Sequence, residues 1–320
     1  MYSRRNIEFR SDDVTLRGWF YTPEEHTQPA PCIIMTHGFS ALKEHYLDKF
    51  AAHFANAGLS VLVYDNRNFG ESDGEPRLEV DHILQMQDMR NAVTFLQGSE
   101  FNAIVNPEKI GLWGTSFSGG VVLAVSAVDK RVACVVSQVP FVSGHHKFLS
   151  SKRPEQWEAI LRKYDEDRRS REAGNPPAMM AVVTDNPDKP AIMKIPSAYS
   201  FFTSVPAWEN KVTLRSVENS GGFEPISYIE QISPTPLLFI VANSDTINAT
   251  KLALNAYEQA REPKDLSVIE GDHFSPYDEQ FDLCVNSASR WFEKHLLGKT
   301  VTPEFRISKK ENESSIVSRL

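Results

Sequence analysis

The chain has 320 residues, of which 41% are apolar, and this is enough to build one large hydrophobic core. Its formal net charge of −8 gives it no electrostatic reason to bind nucleic acid or an anionic membrane surface. No apolar run reaches the roughly 18 residues of a transmembrane helix. The first residues also lack the apolar stretch of a signal peptide, so we expect a soluble, intracellular, cytoplasmic protein.

Short apolar runs alternate with segments of helical periodicity along most of the chain. Strands are predicted at 15–21, 32–35, 59–64, 110–113, 131–139, 236–241 and 266–269. Helices are predicted at 43–57, 82–96, 117–128, 250–261 and 278–297. This repetition predicts an α/β fold in which helices cover both faces of a mostly parallel central sheet. Functional residues of such sheets gather in the loops that follow the carboxyl ends of the strands.

One long segment, residues 141–227, interrupts this alternation and is too long for a plain connection. It contains a charge-dense stretch, then methionines, and finally a group of aromatic residues. Such side chains are stable where they cover apolar surface. We therefore expect a folded cap over the active site rather than a disordered insertion. The side chains expected to contact substrate are Met179, Phe201, Phe202 and Trp208.

The predicted domain organisation follows from this interruption. Residues 1–140 and 228–298 form the core, 141–227 form the cap, and 299–320 form a polar, flexible tail. The last three residues, Ser318-Arg319-Leu320, approximate the peroxisomal Ser-Lys-Leu address. An ordinary terminus and a peroxisomal location both stay open at this point.

Neither the cysteines nor the paired histidines of the chain predict a metal site. Cys32, Cys134 and Cys284 are odd in number and widely spaced, which argues against a disulfide framework and against a zinc site. Their apolar surroundings predict small buried side chains in a reducing compartment. His145 and His146 lack further ligands at suitable spacing, so we expect them in a loop or at a pocket rim. No metal and no cofactor are predicted.

The segment Gly-Thr-Ser-Phe-Ser-Gly-Gly at 114–120 follows a predicted strand and opens a predicted helix. A nucleophile elbow requires this context, because its tight turn strains the serine backbone and demands small neighbours. Gly114 and Ser118 are small, although the usual motif has glycine at the second position. We therefore predict that Ser116 is a catalytic nucleophile rather than part of a structural turn.

An activated serine needs a base, and the base needs an acid that orients it. His273 follows the last predicted strand and is the expected base, whereas His295 lies near the end of a helix and suits packing. In this arrangement the acid precedes the histidine along the chain. Asp245 follows the preceding strand and is the expected acid. Asp272 adjoins His273, and neighbours in a loop rarely point at each other.

Two backbone donors are expected to stabilise the oxyanion of the reaction. One is the N–H of Phe117, directly after the nucleophile. The other lies in the loop after the strand 32–35, where we choose the N–H of Phe39, with that of Ser40 as the next candidate. His37 in the same loop is expected to brace it by hydrogen bonds, the alternative being a catalytic base.

A polar loop, Asp-Asn-Arg-Asn-Phe-Gly-Glu-Ser-Asp-Gly, follows the strand 59–64. Asp65 and Arg67 are expected to fix the geometry of this loop near residues 37–40, which we call the oxyanion loop. A contact between Arg67 and substrate is the alternative.

Four motifs and the late aspartate together resemble the α/β-hydrolase superfamily, across about residues 6–298. They are HGF at 37–39, YDNRNFGESDG at 64–74, GTSFSGG at 114–120 and GDHF at 271–274. The run YSFFTSVPAWENKVTLR at 199–215 further resembles fungal hydrolases of secondary metabolism, including polyketide thiohydrolases and polyketide transferases. This resemblance implies an acyl thioester substrate, presented by a carrier domain of a polyketide synthase. It also implies transfer of the acyl chain through Ser116 to water, an alcohol or an internal hydroxyl, the last giving a lactone.

Three functions are compatible with these patterns. The first is a serine acyl hydrolase or acyltransferase, and specifically a thioesterase that releases a polyketide-type acyl chain. The second is a hydrolase of small esters or lactones, which chain-length preference would distinguish. The third is a non-catalytic ligand-binding protein on a hydrolase scaffold, which would fail to react with a fluorophosphonate.

Overall fold

The computed structural model describes residues 1–24, 29–149 and 153–300. Eight strands of the described chain form one sheet. They are β1 (Tyr2–Ser11), β2 (Val14–Pro23), β3 (Ala30–Thr36), β4 (Ser60–Tyr64), β5 (Val105–Thr115), β6 (Val132–Gln138), β9 (Leu237–Ala242) and β10 (Lys264–Ile269). Their order in the sheet is β1-β2-β4-β3-β5-β6-β9-β10. Strands β1, β2 and β4 pair antiparallel, and β4, β3, β5, β6, β9 and β10 pair parallel. The predicted mostly parallel sheet is confirmed.

Helices cover the sheet on two faces. The helices are α1 (Leu47–Asn56), α2 (His82–Leu96), α3 (Phe117–Val128), α4 (Gly144–Leu149), α5 (Pro154–Glu172), α6 (Pro196–Thr203), α7 (Leu214–Gly221), α8 (Thr250–Gln259) and α9 (Phe281–Leu296). Short 3₁₀ helices lie at Ser99–Phe101, Pro225–Gln231 and Ser275–Tyr277. Helix α1 packs with α9, while α2 packs with α3. Because both faces are covered, β3 and β4 are buried along their whole length.

The parallel register brings the carboxyl ends of the central strands to one level. Thr36 at the end of β3 pairs with Gly114 of β5, and Thr115 pairs with Gln138 at the end of β6. The loop after β3 therefore starts beside the turn that joins β5 to α3. This alignment places the predicted oxyanion loop next to the predicted elbow.

Several element boundaries differ from the sequence prediction, such as that of β5, which begins at Val105 rather than at residue 110. Two further differences have a physical reason. Strand β1 was not predicted, because it is an edge strand whose first five residues are exposed and mostly polar. Helix α1 begins at Leu47 rather than at residue 43. Tyr46 adopts a left-handed conformation with φ of 66°, which interrupts the helix although the apolar spacing continues through it.

The segment between β6 and β9 is folded in its described part. It contains α4, α5, α6 and α7, together with a two-stranded antiparallel pair, β7 (Met179–Met180) and β8 (Val212–Thr213). Helix α7 packs against both α4 and α5. We refer to residues 141–227 as the insert.

Cys32, Cys134 and Cys284 are free and buried, as predicted. Within residues 1–24, 29–149 and 153–300, no helix combines the length and hydrophobicity needed to cross a bilayer. The tripeptide Ser318-Arg319-Leu320 and nearly all of the predicted tail lie outside the described residues.

Candidate active site

Ser116 lies at the sharp turn between β5 and α3, with φ of 56° and ψ of −118°. A non-glycine residue rarely adopts this conformation, and such strain is typical of functional turns. A Cβ on Gly114 would lie 2.2 Å from the carbonyl oxygen of Ser118, so no larger residue fits there. The structure therefore provides the tight, sterically restricted elbow that the sequence predicted.

Ser118 stands where the usual elbow motif has glycine, and its hydroxyl has a structural use. Its Oγ accepts a hydrogen bond from the Thr115 N–H at 3.0 Å and donates one to the Thr36 carbonyl at 2.7 Å. The side chain is buried, so both bonds form away from water. Ser118 thus fastens the elbow to the end of β3.

The structure brings Ser116, His273 and Asp245 together from three different loops. Nε2 of His273 lies 2.9 Å from Oγ of Ser116, and Nδ1 lies 2.7 Å from Oδ2 of Asp245. His273 and Asp245 are buried, while Ser116 is partly open to a cavity. These are the distances at which an imidazole can take a proton from a serine while a carboxylate orients it.

Asp245 is held as a carboxylate by its surroundings. Its Oδ1 accepts hydrogen bonds from the N–H groups of Ile247 and Asn248, each at 2.8 Å. Burial alone would raise the pKa of Asp245, but the neighbouring His273 and these two donors outweigh it and lower the pKa. Asp245 therefore stays ionised and accepts a hydrogen bond from the Nδ1–H of His273.

Asp272 has different partners, although it adjoins His273. Its Oδ1 accepts from the Phe274 N–H at 2.8 Å, and its Oδ2 accepts from Ser197 Oγ of α6 at 2.6 Å. Asp272 thus ties the loop of His273 to the insert.

The N–H of Phe39 lies in the loop after β3, and the N–H of Phe117 is the first of α3, directly after Ser116. Neither donates a hydrogen bond within the described part of the chain. Gly38 passes close to the serine, since a Cβ there would lie 3.0 Å from Ser116 Cβ. The loop geometry is therefore compatible with two donors directed at one oxyanion.

His37 braces the oxyanion loop, as predicted, and is not placed as a base. Its Nδ1 lies 3.0 Å from the Gly38 carbonyl, and its Nε2 accepts from the Asn66 N–H at 3.0 Å. Burial lowers the pKa of His37 to about 4. The ring is therefore neutral at pH 7, with its proton on Nδ1.

Asp65 and Arg67 fix the neighbouring loop. Asp65 accepts from the backbone N–H of Lys43 at 2.9 Å and from its Nζ at 2.7 Å. Arg67 forms a buried two-pronged pair with Asp88 of α2, at 2.8 and 2.6 Å. Arg67 does not line the cavity beside Ser116. The structure thus favours loop geometry over the alternative of substrate contact.

A cavity opens beside Ser116 and encloses about 720 Å³, with open solvent at its mouth included. The core loops and the insert both contribute apolar side chains to its wall. These include Phe39, Phe117, Phe141, Ile192, Met193, Phe201, Phe202, Val217, Ile247, Phe274 and Tyr277. A largely apolar pocket with a few convergent polar groups is typical of small-molecule sites.

The four insert residues predicted to contact substrate differ in their placement. Phe201 and Phe202 line the cavity, whereas Met179 and Trp208 do not. Met179 is 44% exposed on β7. Met193 lines the cavity instead. Hydrophobicity alone does not reveal which of several methionines points inward.

Trp208 contacts the oxyanion loop and does not line the cavity. Its Nε1–H donates to the Ser40 carbonyl at 2.7 Å, and its ring stacks on Phe202 at 4.9 Å between centroids. His45 makes a second tie, since its Nδ1 accepts from the Leu42 N–H at 3.0 Å and its Nε2 lies 3.2 Å from the Phe202 carbonyl. The insert and the oxyanion loop are therefore fastened to each other.

Sequence reasoning missed a polar cluster behind the elbow. The Tyr277 hydroxyl makes a short hydrogen bond with Thr115 Oγ1, which also accepts from Gln138 Nε2 at 3.2 Å. Burial raises the pKa of Tyr277, so it stays a neutral phenol. No motif marks this cluster, because its members come from three segments far apart in sequence.

The described residues contain no cluster of three or more His, Cys, Asp or Glu side chains able to hold a metal ion. His145 and His146 are both exposed at the start of α4.

The buried His45 makes stability depend on pH. Burial lowers its folded-state pKa to about 4, from 6.5. Between these values the unfolded chain binds the extra proton, so unfolding free energy falls as pH drops through this window. We expect His45→Gln to reduce the loss of unfolding free energy between pH 7 and pH 5 by about 2 kcal/mol. Urea titrations of both proteins at the two pH values measure this, and an unchanged pH dependence would contradict it.

The chain is similar to a known protein family and to named fungal proteins. The family described as X-Pro dipeptidyl-peptidase (S15 family) matches residues 12–275. A protein named thiohydrolase from Eupenicillium brefeldianum is 31% identical over 277 residues, which are 84% of this chain and 86% of that protein. A polyketide transferase, grgF, from a Penicillium species is 32% identical over 274 residues, 84% of this chain and 88% of the relative.

Solved structures of related proteins are similar to this chain over most of its length. The α/β-hydrolase GrgF of Penicillium superposes with a TM-score of 0.80 at 30% identity, covering 92% of this chain and 99% of that one. A structure described as DcsB in complex with its substrate analogue superposes with a TM-score of 0.80 at 27% identity, covering 92% and 100%.

Proposed function

Because the chain belongs to the family described as X-Pro dipeptidyl-peptidase (S15 family), with an α/β-hydrolase fold, and is an enzyme of the serine-hydrolase type, we propose that it transfers an acyl chain from a thioester through Ser116. The observation that carries the proposal is the hydrogen-bonded series Ser116–His273–Asp245 at the wall of an apolar cavity. Phe39 and Phe117 supply the oxyanion donors.

In the first step, His273 Nε2 takes the proton of Ser116 Oγ while Oγ attacks the thioester carbonyl carbon. The carbonyl oxygen becomes an oxyanion, which accepts hydrogen bonds from the N–H groups of Phe39 and Phe117. The carbon–sulfur bond then breaks, and the thiolate leaves with the proton from His273. Removing one such donor typically costs about 3–4 kcal/mol of barrier. The product is an ester between the acyl chain and Ser116.

In the second step, an acceptor hydroxyl gives its proton to His273 Nε2 and attacks the acyl carbon. The ester bond to Ser116 breaks, and Oγ recovers the proton from His273. Water as acceptor yields a free acid, an alcohol yields an ester, and a hydroxyl of the chain itself yields a lactone. Asp245 stabilises the imidazolium in both steps and does not itself take the proton.

The charges of the cavity support an acyl substrate over a peptide with a free N-terminus. A peptide ammonium needs a carboxylate partner in a low-dielectric pocket. No aspartate or glutamate is among the described residues that line the cavity. Aromatic and aliphatic side chains instead offer an apolar surface to a hydrocarbon or polyketide chain.

The relatives named thiohydrolase and polyketide transferase support a polyketide-type acyl group. We further propose that the insert acts as a cap whose Phe201 and Phe202 contact this acyl group. We also propose that a carrier domain presents the thioester to Ser116.

Intact mass spectrometry after incubation with acyl thioesters tests this function. We expect a mass increase equal to the acyl group, located on Ser116, with long apolar chains reacting faster than acetyl. Oxygen-ester analogues of equal length separate a thioesterase from a small-ester or lactone hydrolase. An unmodified protein in the presence of consumed thioester, or a clear preference for acetyl esters, would contradict the proposal.

A further inference from the structure

A hydrogen bond joins the segment that carries His273 to the strand that ends at the elbow. The Tyr277 hydroxyl bonds Thr115 Oγ1, across 162 positions of the chain. Thr115 directly precedes Ser116, and Tyr277 follows His273 within the same short segment. The acyl-transfer steps give this bond no part, although it connects the segments of the nucleophile and of the base.

On the side of the base, the segment from His273 to Tyr277 is short and held by its own hydrogen bonds. The Tyr277 N–H donates to the Phe274 carbonyl at 3.0 Å, and the Ser275 N–H donates to the Asp272 carbonyl at 3.3 Å. The Asp272 N–H donates in turn to Ser275 Oγ at 2.9 Å. Because these bonds make one compact turn, a shift of Tyr277 is transmitted to His273.

On the side of the nucleophile, Gln138 at the end of β6 holds the elbow twice. Its backbone carbonyl accepts from the Ser116 N–H at 2.9 Å, and its Nε2 donates to Thr115 Oγ1 at 3.2 Å. The Thr115 hydroxyl is therefore fixed relative to the nucleophile, and it bonds Tyr277 from this fixed position.

The cluster of Gln138, Thr115 and Tyr277 lies in the interior, with 0%, 1% and 5% of these residues exposed. The Oε1 atom of Gln138 has no hydrogen-bond partner among the described residues. A buried amide with an unpaired oxygen lowers stability, and an apolar side chain of similar size would avoid this loss. A polar cluster that is present despite such a loss is typical of functional sites.

We propose that Tyr277 is a positioning residue whose bond to Thr115 holds the catalytic base at its distance from the nucleophile. The two reacting atoms, Ser116 Oγ and His273 Nε2, are 2.9 Å apart. A misplacement of about 1 Å can slow an enzymatic step by about 100-fold. This inference rests on the proposed function, because it concerns the proton transfer in the same first step.

Tyr277→Phe tests the inference, since it keeps the ring and removes only the hydroxyl. Reaction with a fluorophosphonate measures two quantities: the endpoint counts competent sites, and the rate per site reports how well Ser116 is activated. We expect the native endpoint, a rate per site about tenfold lower, and a kcat for p-nitrophenyl esters lowered equally, with KM within about twofold. A merely structural role would lower the endpoint and leave the rate per site unchanged.

Tyr64→Phe is the matched control. Tyr64 is fully buried, and its hydroxyl has no hydrogen-bond partner among the residues that the structure describes. The deletion is therefore the same in chemistry and burial but removes no bond. Its rate per site should stay within about twofold of the native rate.

Variants of Thr115 test the other end of the bond and decide the matter if Tyr277→Phe does not fold. Thr115→Ser keeps the hydroxyl, whereas Thr115→Val replaces it by a methyl group. We expect the serine variant to react about tenfold faster per site than the valine variant. Adding Tyr277→Phe to Thr115→Val should cause little further loss, because both changes remove the same bond.

A rate per site of Tyr277→Phe equal to the native rate would overturn the inference. A change confined to KM would also overturn it, since Tyr277 lines the cavity and would then be a substrate contact. Losses that multiply in the double variant would do the same. In each case, labelling of the native protein on Ser116 and turnover of acyl thioesters would leave the proposed function intact. A native protein that forms no adduct contradicts the proposed function, and the inference fails with it.

Discussion

Replacing Ser116 by alanine should lower the turnover of activated acyl esters by about 10⁵-fold, equivalent to about 7 kcal/mol of barrier. The substitution removes the oxygen that lies 2.9 Å from His273 Nε2, so no acyl-enzyme can form. Hydrolysis of p-nitrophenyl esters by native and variant protein measures the change. The residual rate reports what the oxyanion donors and the cavity contribute without a nucleophile.

The fold should survive this change. Alanine keeps the Cβ of serine, so the strain at φ of 56° is the same in both proteins. Circular dichroism and thermal unfolding should therefore agree between them. Ser99→Ala, at an exposed position outside the cavity, is the matched control and should keep full activity. Retention of more than about a tenth of native activity by Ser116→Ala would contradict the assigned nucleophile, given the effects typical of this residue.

Asp245→Asn should reduce kcat by about 10³- to 10⁴-fold while leaving the fold intact. The backbone N–H groups of Ile247 and Asn248 both donate to Oδ1 of Asp245. They therefore orient an asparagine at position 245 so that its side-chain oxygen occupies the place of Oδ1. The new NH₂ group would then face His273 Nδ1 in place of Oδ2. This donor stabilises the tautomer that carries its proton on Nε2, and such a ring cannot accept the proton of Ser116.

Steady-state kinetics of the Asp245→Asn protein tests this account of the tautomer. Asp278→Asn removes an exposed carboxylate from the segment after His273 and serves as the matched control. It should retain activity within about twofold, as surface changes away from a site usually do. Equal kcat values for Asp245→Asn and the native protein would exclude Asp245 as the residue that orients His273.

The catalytic candidates could be predicted because their positions depend on the order of secondary elements. Ser116, Asp245 and His273 each follow a parallel strand, and parallel strands end at one edge of the sheet. Asp245 is preferred over Asp272 because Asp272 adjoins His273, and neighbours in a loop rarely point at each other. These inferences use the alternation of strands and helices and the spacing of the candidates, which the sequence displays clearly.

The supports of the site could not be predicted, because they depend on contacts between distant loops. His45 meets the Phe202 carbonyl across 157 positions, and the Trp208 ring nitrogen meets Ser40 across 168. No local sequence pattern indicates contacts between residues so far apart in the chain. The same limit explains why Met193 rather than Met179 lines the cavity, since orientation is set by packing and not by residue type.

The replacement of glycine by Ser118 in the elbow illustrates a second limit. Sequence reasoning accepted Ser118 only because it is small. In the structure its hydroxyl bonds the Thr115 N–H and the Thr36 carbonyl, at 3.0 and 2.7 Å. The departure from the usual motif therefore adds a tie between β3 and the elbow that the pattern itself does not reveal.

Labelling with a fluorophosphonate, followed by peptide mass mapping, tests the central claim most directly. The reagent reacts with a serine only where a base activates it and donors stabilise the oxyanion. We predict one stoichiometric adduct, located on Ser116 in the peptide that contains residues 114–120, and no adduct in the Ser116→Ala protein. An unlabelled native protein, or an adduct on any other residue, would contradict the account.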